Sequence, residues 1–315
     1  MTRPGMPPDK TAQGIVIILA SVSMMALTDA IVKHVSTDFT VWQVFFARSL
    51  FAIPILLVIC WISGVSLTLK NPKWTVIRSL LLVSSWIAIY ASLPVLSLSV
   101  VAVAMYTNPI ITALLSALLI GEPVSRRQWA GVLLGFLGVI VILKPGTDAF
   151  SWFALLPILG AALYSYAMIL TRTKCQNEAP LNLALALHVT FLATGLLASL
   201  VLLLIELEMT TKETFPFLVG DWFPLQMEDW ALMAFLGLLS AIYFIGVARA
   251  YQIVPPSIIG TFDYAYLISA AIWGYVFFSE SLNLSTIGGM VLITVAGVLV
   301  AITKRPNQHQ VRDAM

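Results

Sequence analysis

The chain has 315 residues, of which 60% are hydrophobic and only 10% charged, and its formal net charge is +2. Soluble domains average about half apolar and about a quarter charged residues, so a water-facing surface of this size cannot be covered and lipid is the implied solvent. So small a net charge, with no stripe of basic residues, does not suggest nucleic acid as a partner. Two distant cysteines, Cys60 and Cys175, exclude a disulfide framework and a metal cluster.

A membrane-crossing helix needs roughly 20 mostly apolar residues. Arg3 and Lys10 precede the first such run, 12–33, which is longer than a signal-peptide core and contains Asp29; it is expected to stay as the first helix. Further runs follow at 41–62, 74–94, 98–120, 127–144, 151–171, 182–205, 230–250, 257–279 and 284–303, which makes ten spans. Lys70-Asn71-Pro72-Lys73, Gly121-Glu122-Pro123, Lys144-Pro145-Gly146 and Pro255-Pro256 punctuate them. The one long connection, 206–229, is acidic (Glu206, Glu208, Glu213, Asp221, Glu228, Asp229) apart from Lys212. With the N-terminus inside, 13 of the 17 Lys and Arg residues fall on the cytoplasmic side, leaving Lys33, Arg48, Lys144 and Lys212 on the other. This bias predicts that both termini are cytoplasmic and that the acidic loop faces out.

The sequence also repeats itself. Ile120-Gly-Glu122-Pro-Val-Ser with Gly131 answers Phe278-Ser-Glu280-Ser-Leu-Asn with Gly289, at an offset of 158. Asp38 through Arg48 to Phe51 answers Glu178 through His188 to Phe191, at an offset of 140. Two units of five helices, 12–144 and 151–303, are expected. An odd number of spans makes the second enter the membrane in the opposite sense, as in inverted-repeat carriers with a site near mid-membrane. Gly131, Gly135 and Gly138 on the fifth helix and Gly288, Gly289 and Gly297 on the tenth form small-residue seams, which suit packing between the halves or a homodimer.

Membrane-enzyme chemistry finds little support. The chain carries no G-x-x-x-x-G-K-[ST] run and no H-E-x-x-H, and its three histidines (His34, His188, His309) are too few for haem ligation across helices. His34-Val-Ser-Thr-Asp38 is one residue short of an acyltransferase pair. No catalytic residue, cofactor or metal is expected. An enzyme acting on a lipid-linked substrate, or a channel or assembly subunit without catalysis, remains the alternative to a carrier.

Ionisable residues inside apolar runs each cost at least ~2.5 kcal/mol at the bilayer centre on insertion scales, so they call for partners or a wet cavity. Asp29 has Lys33 four residues on, on the same helix face, and Arg48 at a comparable depth on the second helix. A structural ion-pair cluster and a solute- or proton-binding role for Asp29 both fit. Asp263, in Phe262-Asp-Tyr-Ala-Tyr266, has no basic residue within one helical turn. Either Arg249 on the preceding helix reaches back to it, or it lines a cavity as a proton- or cation-binding group. Trp86, Tyr90, Tyr106, Tyr164, Tyr166, Tyr243, Tyr264, Tyr266 and Trp273 fall among these charges and suit either a pocket or helix packing, whereas Trp42, Trp129, Trp222 and Trp230 read as interfacial.

Five-plus-five helices, Gly-Glu-Pro with its Ser-Glu-Ser counterpart, and the glycine-bearing helix after each resemble the drug/metabolite transporter superfamily, and within it the EamA group. Ala26-Leu-Thr-Asp29-Ala-Ile-Val-Lys33 and Phe45-Phe-Ala-Arg48-Ser-Leu-Phe51 resemble the branch that holds S-adenosylmethionine and riboflavin carriers. The resemblance implies an all-α protein of the bacterial inner membrane that moves a small metabolite through a central cavity by alternating access. It implies as lining residues Asp29, Trp86, Tyr90, Tyr106, Asn108, Tyr164, Tyr243, Asp263 and Tyr266. Lys33, Arg48, His188 and Arg249 take structural or coupling roles, and His188, where the first copy has Arg48, argues against a symmetric one. The acidic and aromatic residues favour a zwitterionic or cationic solute with a flat ring, such as an aromatic amino acid or S-adenosylmethionine.

Overall fold

The computed structural model describes residues 10–36, 38–92, 95–96, 101, 104–121, 124–143, 152–205, 208–279 and 284–301. The tails, Glu122-Pro123, Lys144-Pro145-Gly146, Glu206 and Glu280 to Asn283, on which several expectations rest, lie outside the described residues.

Every regular element among the described residues is helical: α1 (Thr11–His34), α2 (Val41–Ile62), α3 (Pro72–Ser92), α4 (Asn108–Leu115), α5 (Arg126–Leu143), α6 (Leu155–Thr173), α7 (Pro180–Leu204), α8 (Met209–Thr214), α9 (Pro216–Val219), α10 (Met227–Ile253), α11 (Pro256–Phe262), α12 (Ala265–Phe278) and α13 (Leu284–Ala301). Six of them, α1, α2, α3, α6, α7 and α10, are long and apolar enough to cross a membrane. The protein is therefore a multi-pass, all-helical membrane protein. Large apolar side chains stay exposed on the outside of these spans, among them Val58, Leu197 and Leu203, as lipid contact requires.

Local chemistry explains where the helices start. Thr40 and Gln43 form a capping box at the head of α2, and Asp229 accepts from the Gln226 backbone at the head of α10. Pro180 and Pro256 open α7 and α11, where the missing N–H has no intrahelical partner to lose.

Two predicted spans are interrupted. The ninth is divided by a turn at Asp263 and Tyr264 into α11 and α12. In the fourth, a turn at Tyr106 and Thr107 separates the helical residues 104–105 from α4, which then passes through a π-helical turn (Ser116–Ile120) to Gly121. Gly121 (φ 68°) and Ser279 (φ 55°) both end their helices in the left-handed region. Ser279 is the one non-glycine residue with positive φ among the described residues.

The tightest helix pairs are α5 with α13, α2 with α7, α3 with α6, and α1 with α10. α1 also packs on α12, α2 on α10, α3 on α7, and α4 on α6 and α11. The glycine seam is used inside the chain: a Cβ on Gly138 would come within 2.8 Å of the Gly289 carbonyl oxygen. The acidic connection is more than a loop. α8 and α9 fold back so that Phe217 is buried, with its ring 6.2 Å from that of Tyr90. Trp42 Nε1 donates to the Leu218 carbonyl and Gln43 Nε2 to the Phe223 carbonyl, and Lys212 pairs with Asp221.

Candidate functional site

The centre of the bundle holds two buried carboxylates. Asp29, near the end of α1, is 5% exposed, and both of its oxygens accept tyrosine hydroxyls: Oδ1 from Tyr90 on α3 at 3.0 Å and Oδ2 from Tyr266 on α12 at 2.8 Å. Three helices meet at one acidic group. The ammonium of Lys33, one turn on, stands 5.0 Å over the Phe278 ring.

Asp263 lies at the break between α11 and α12, where short-helix carbonyl ends and an interrupted backbone can face polar cargo. Its Oδ2 accepts from Tyr251 at 2.6 Å, and its Oδ1 has no hydrogen-bond partner among the described residues. Of the two alternatives for Asp263, pairing with Arg249 is not seen among the described residues. Arg249 and Tyr251 are two residues apart on a helix and so point to nearly opposite sides, and it is the tyrosine side that faces α11.

Aromatic rings connect the two carboxylates. Tyr106 stacks at 5.3 Å on Tyr266, the Asp29 partner, and at 6.0 Å on Tyr264, the neighbour of Asp263. Tyr264 donates to the Val132 carbonyl, and its ring fills the space beside Gly135, so it anchors the break to α5. Trp86 lies 5.3 Å from Tyr90. Asn108 begins α4, where its carbonyl accepts from Ser165. Asn108 Oδ1, Trp86 Nε1 and the hydroxyls of Tyr164 and Tyr243 are buried without a partner among the described residues.

Arg48 is fully buried on α2, its guanidinium 5.1 Å from Phe45 and 4.5 Å from Phe191. It lies close enough to Asp29, Tyr90 and Tyr243 to act on each electrostatically. His188 on α7 is also fully buried, with Nδ1 3.3 Å from Ser49 Oγ and its ring 6.2 Å from Phe191. The nine predicted lining residues are all buried, and Trp86, Tyr90, Tyr106 and Tyr266 are linked to Asp29 by hydrogen bonds or ring contacts. Sequence reasoning missed Tyr251, Phe217 and the phenylalanines at Arg48. Phe45 to Arg48 and His188 to Phe191 are both i,i+3 pairs, a spacing that places each ring beside its polar neighbour on one helix face and that was legible.

Buried carboxylates, tyrosines and unpartnered polar atoms at the centre of a helical membrane protein suit the binding of a small polar solute. Residues 12–144 match the EamA-like transporter family. Over 305 residues, covering 96% of this chain and 96% of the relative, the sequence is 24% identical to the S-adenosylmethionine uptake transporter of Rickettsia prowazekii (strain Madrid E). It is 24% identical over 303 residues to the pseudopaline exporter CntI of Pseudomonas aeruginosa, covering 94% and 99% of the two chains. It is 23% identical over 276 residues to the riboflavin transporter of Vibrio cholerae serotype O1, covering 84% and 85%. A solved crystal structure superposes with a TM-score of 0.72 at 17% identity, over 92% of this chain and 98% of that one, which supports the fold. Residues 12–144 thus resemble an EamA-like transporter domain, and the relatives that align over most of the chain are named as small-molecule transporters.

Proposed function

We propose that the protein is a secondary active carrier that moves a small zwitterionic or aromatic metabolite across the bacterial cytoplasmic membrane by alternating access. Ten helices in two inverted repeats, 12–144 and 151–303, with both termini cytoplasmic, form the moving halves. The helix pairing supports this duplication. If α1 answers to α6, α2 to α7, α3 to α10, α4 to α11 with α12, and α5 to α13, then α1 on α10 mirrors α6 on α3, and α1 on α12 mirrors α6 on α4. The left-handed ends at Gly121 and Ser279, and both ends of α5 and α13, are 158 positions apart, the offset of the sequence repeat. A homodimer through α5 and α13 would have to use their lipid-facing sides, since Gly138 and Gly289 already meet within the chain.

The observation that carries the reading is the grip on Asp29, with Tyr90 from the first half on one oxygen and Tyr266 from the second on the other. When the halves rock, one of these bonds must lengthen, so the carboxylate meets a solute differently in each state. That differential contact is what couples binding to conformation. The relatives named for S-adenosylmethionine, a ring-bearing amino acid, support a cargo of that class. Asp263, with one oxygen unpartnered, is the group for coupling to protons.

Reconstitution in proteoliposomes tests this, with counterflow of labelled S-adenosylmethionine and a panel of amino acids, nucleotides and vitamins. Asp29→Asn should fold and lose at least tenfold in counterflow. Wild-type rates in that variant would sink the role of Asp29.

A further inference from the structure

Arg48 raises a problem of charge. A guanidinium carries five N–H donors and keeps its charge at every physiological pH. Here it is 0% exposed; Asp29 lies within its electrostatic reach and the Tyr243 hydroxyl stands near its edge, yet among the described residues none of Nε, Nη1 and Nη2 has a partner at full hydrogen-bond geometry. The Phe45 and Phe191 rings offer cation–π contact to its face but nothing to its N–H edge. A buried charge left this way is unfavourable unless an anion arrives to meet it.

The surroundings are rich in donors. Phe244 stands 6.0 Å from Phe191, 6.4 Å from Trp86, 5.7 Å from His188 and 4.3 Å from Tyr243. Each of those three polar residues presents an unpartnered buried atom, Trp86 Nε1, His188 Nε2 and the Tyr243 hydroxyl. Tryptophan can only donate, and a tyrosine hydroxyl donates readily to an anion. His188 Nδ1 lies 3.3 Å from Ser49 Oγ, and in the tautomer where Ser49 donates, the ring proton sits on Nε2 and adds another donor. The nearby acid, Asp29, already has both oxygens engaged by tyrosines.

We propose that Arg48 is the carboxylate-receiving half of the solute site and that Asp29 is its ammonium-receiving half, which makes the cargo an amino-acid-like zwitterion. The inference rests on the carrier reading of the Asp29 site. A planar guanidinium matches a carboxylate with two parallel hydrogen bonds, and Trp86 and Tyr243 would complete the shell. Phe45 touches both halves, lying under Arg48 and 5.9 Å from Tyr90, so one solute of amino-acid size can span them.

The test is thermal unfolding of the purified protein titrated with sodium benzoate, benzylammonium chloride or sodium chloride at matched ionic strength. Benzoate should raise the wild-type midpoint above the chloride control. Arg48→Met should lose that response at least tenfold in half-saturating concentration while unfolding at an equal or higher midpoint, since it removes a charge without a partner. Arg48→Lys should keep a weakened response, and Asp29→Asn should keep the benzoate response and lose that to benzylammonium. A midpoint for Arg48→Met several degrees below wild type would make Arg48 a structural tie. That result, benzoate acting no better than chloride, or an unchanged benzoate response in Arg48→Met would each overturn the proposal. The carrier reading fails separately, through absence of counterflow for every solute in the wild type, whatever the benzoate titration gives.

Discussion

Tyr266 donates a 2.8 Å hydrogen bond to Asp29 across 237 positions of sequence, while Tyr90 holds the other carboxylate oxygen from 61 positions away. Hydrogen bonds to charged groups are worth about 1.5–3 kcal/mol, and a buried oxygen left bare costs on that order. Tyr266→Phe and Tyr90→Phe should each lower the thermal unfolding midpoint in detergent. Tyr266→Phe should reduce counterflow more, because Tyr266 reaches across from the other proposed half. The double variant should lose less than the sum of the two, since both bonds end on one group. Equal transport by Tyr266→Phe and wild type would separate this bond from the transport cycle.

Much of the architecture was legible because lipid imposes simple rules. Apolar length marks a span, proline and glycine mark its ends, and α1, α2 and α3 fall within two residues of their predicted bounds. The breaks at Tyr106 and Asp263 were not legible, because a run of apolar residues reads the same whether its hydrogen-bond ladder is continuous or interrupted. The partners of Asp29 were hidden for another reason. Lys33 is one turn away and suggested itself by charge, whereas Tyr90 and Tyr266 reach it only through tertiary packing. Phe217 was invisible inside a segment that its acidic neighbours marked as a solvated loop. Asp263 drew notice by its charge alone, but Tyr251, its hydroxyl donor, looked like any aromatic residue at the end of a span.

Phe217 makes the acidic connection a cover for the site, since its ring packs on the same Tyr90 that holds Asp29. Truncating a buried Phe to Ala costs about 3–5 kcal/mol in a packed core, and in a short anchored segment that cost falls first on local opening. Phe217→Ala should expose residues 208–226 to limited proteolysis at least tenfold faster than wild type, with the spans intact on gels. Trp42→Phe, which removes the donor to Leu218, should act in the same direction but less strongly. Unchanged cleavage in Phe217→Ala would show that the segment is held by other contacts.

Asp263→Asn keeps an oxygen for Tyr251 and removes the charge. If Asp263 couples transport to protons, exchange of solute for solute should survive in this variant, because no net proton movement is needed. Accumulation driven by an imposed pH gradient should fall to the level of gradient-free vesicles. Tyr251→Phe should weaken gradient-driven accumulation without abolishing it, since the carboxylate remains. Gradient-driven uptake by Asp263→Asn at the wild-type rate would remove Asp263 from coupling.

At the end of the bundle opposite Phe217, Gln252 ties four helices together. Its Nε2 donates to the Cys175 carbonyl at 2.9 Å and the Glu178 carbonyl at 2.8 Å, its backbone carbonyl accepts from Arg172 at 2.7 Å, and the Glu178 carboxylate accepts the Asn71 backbone N–H. The ends of α3, α6, α7 and α10 can separate only if this knot opens. Cys175 reports on it: its side chain is fully buried, and burial pushes the thiol above its ordinary pKa against the opposing pull of Arg78. The thiolate is the reactive form, so a raised pKa leaves little of it at neutral pH and more as pH rises. In a Cys60→Ala background, maleimide labelling of Cys175 should be slow at pH 7.5 and accelerate with pH. Gln252→Ala should speed it at least tenfold at fixed pH, because it frees the segment that carries Cys175. A transported solute should change the labelling rate in the parent far more than in Gln252→Ala, where both side-chain bonds of the knot are already gone. Identical rates in parent and Gln252→Ala would mean that the four ends part without breaking these bonds, and the knot would then have no part in gating.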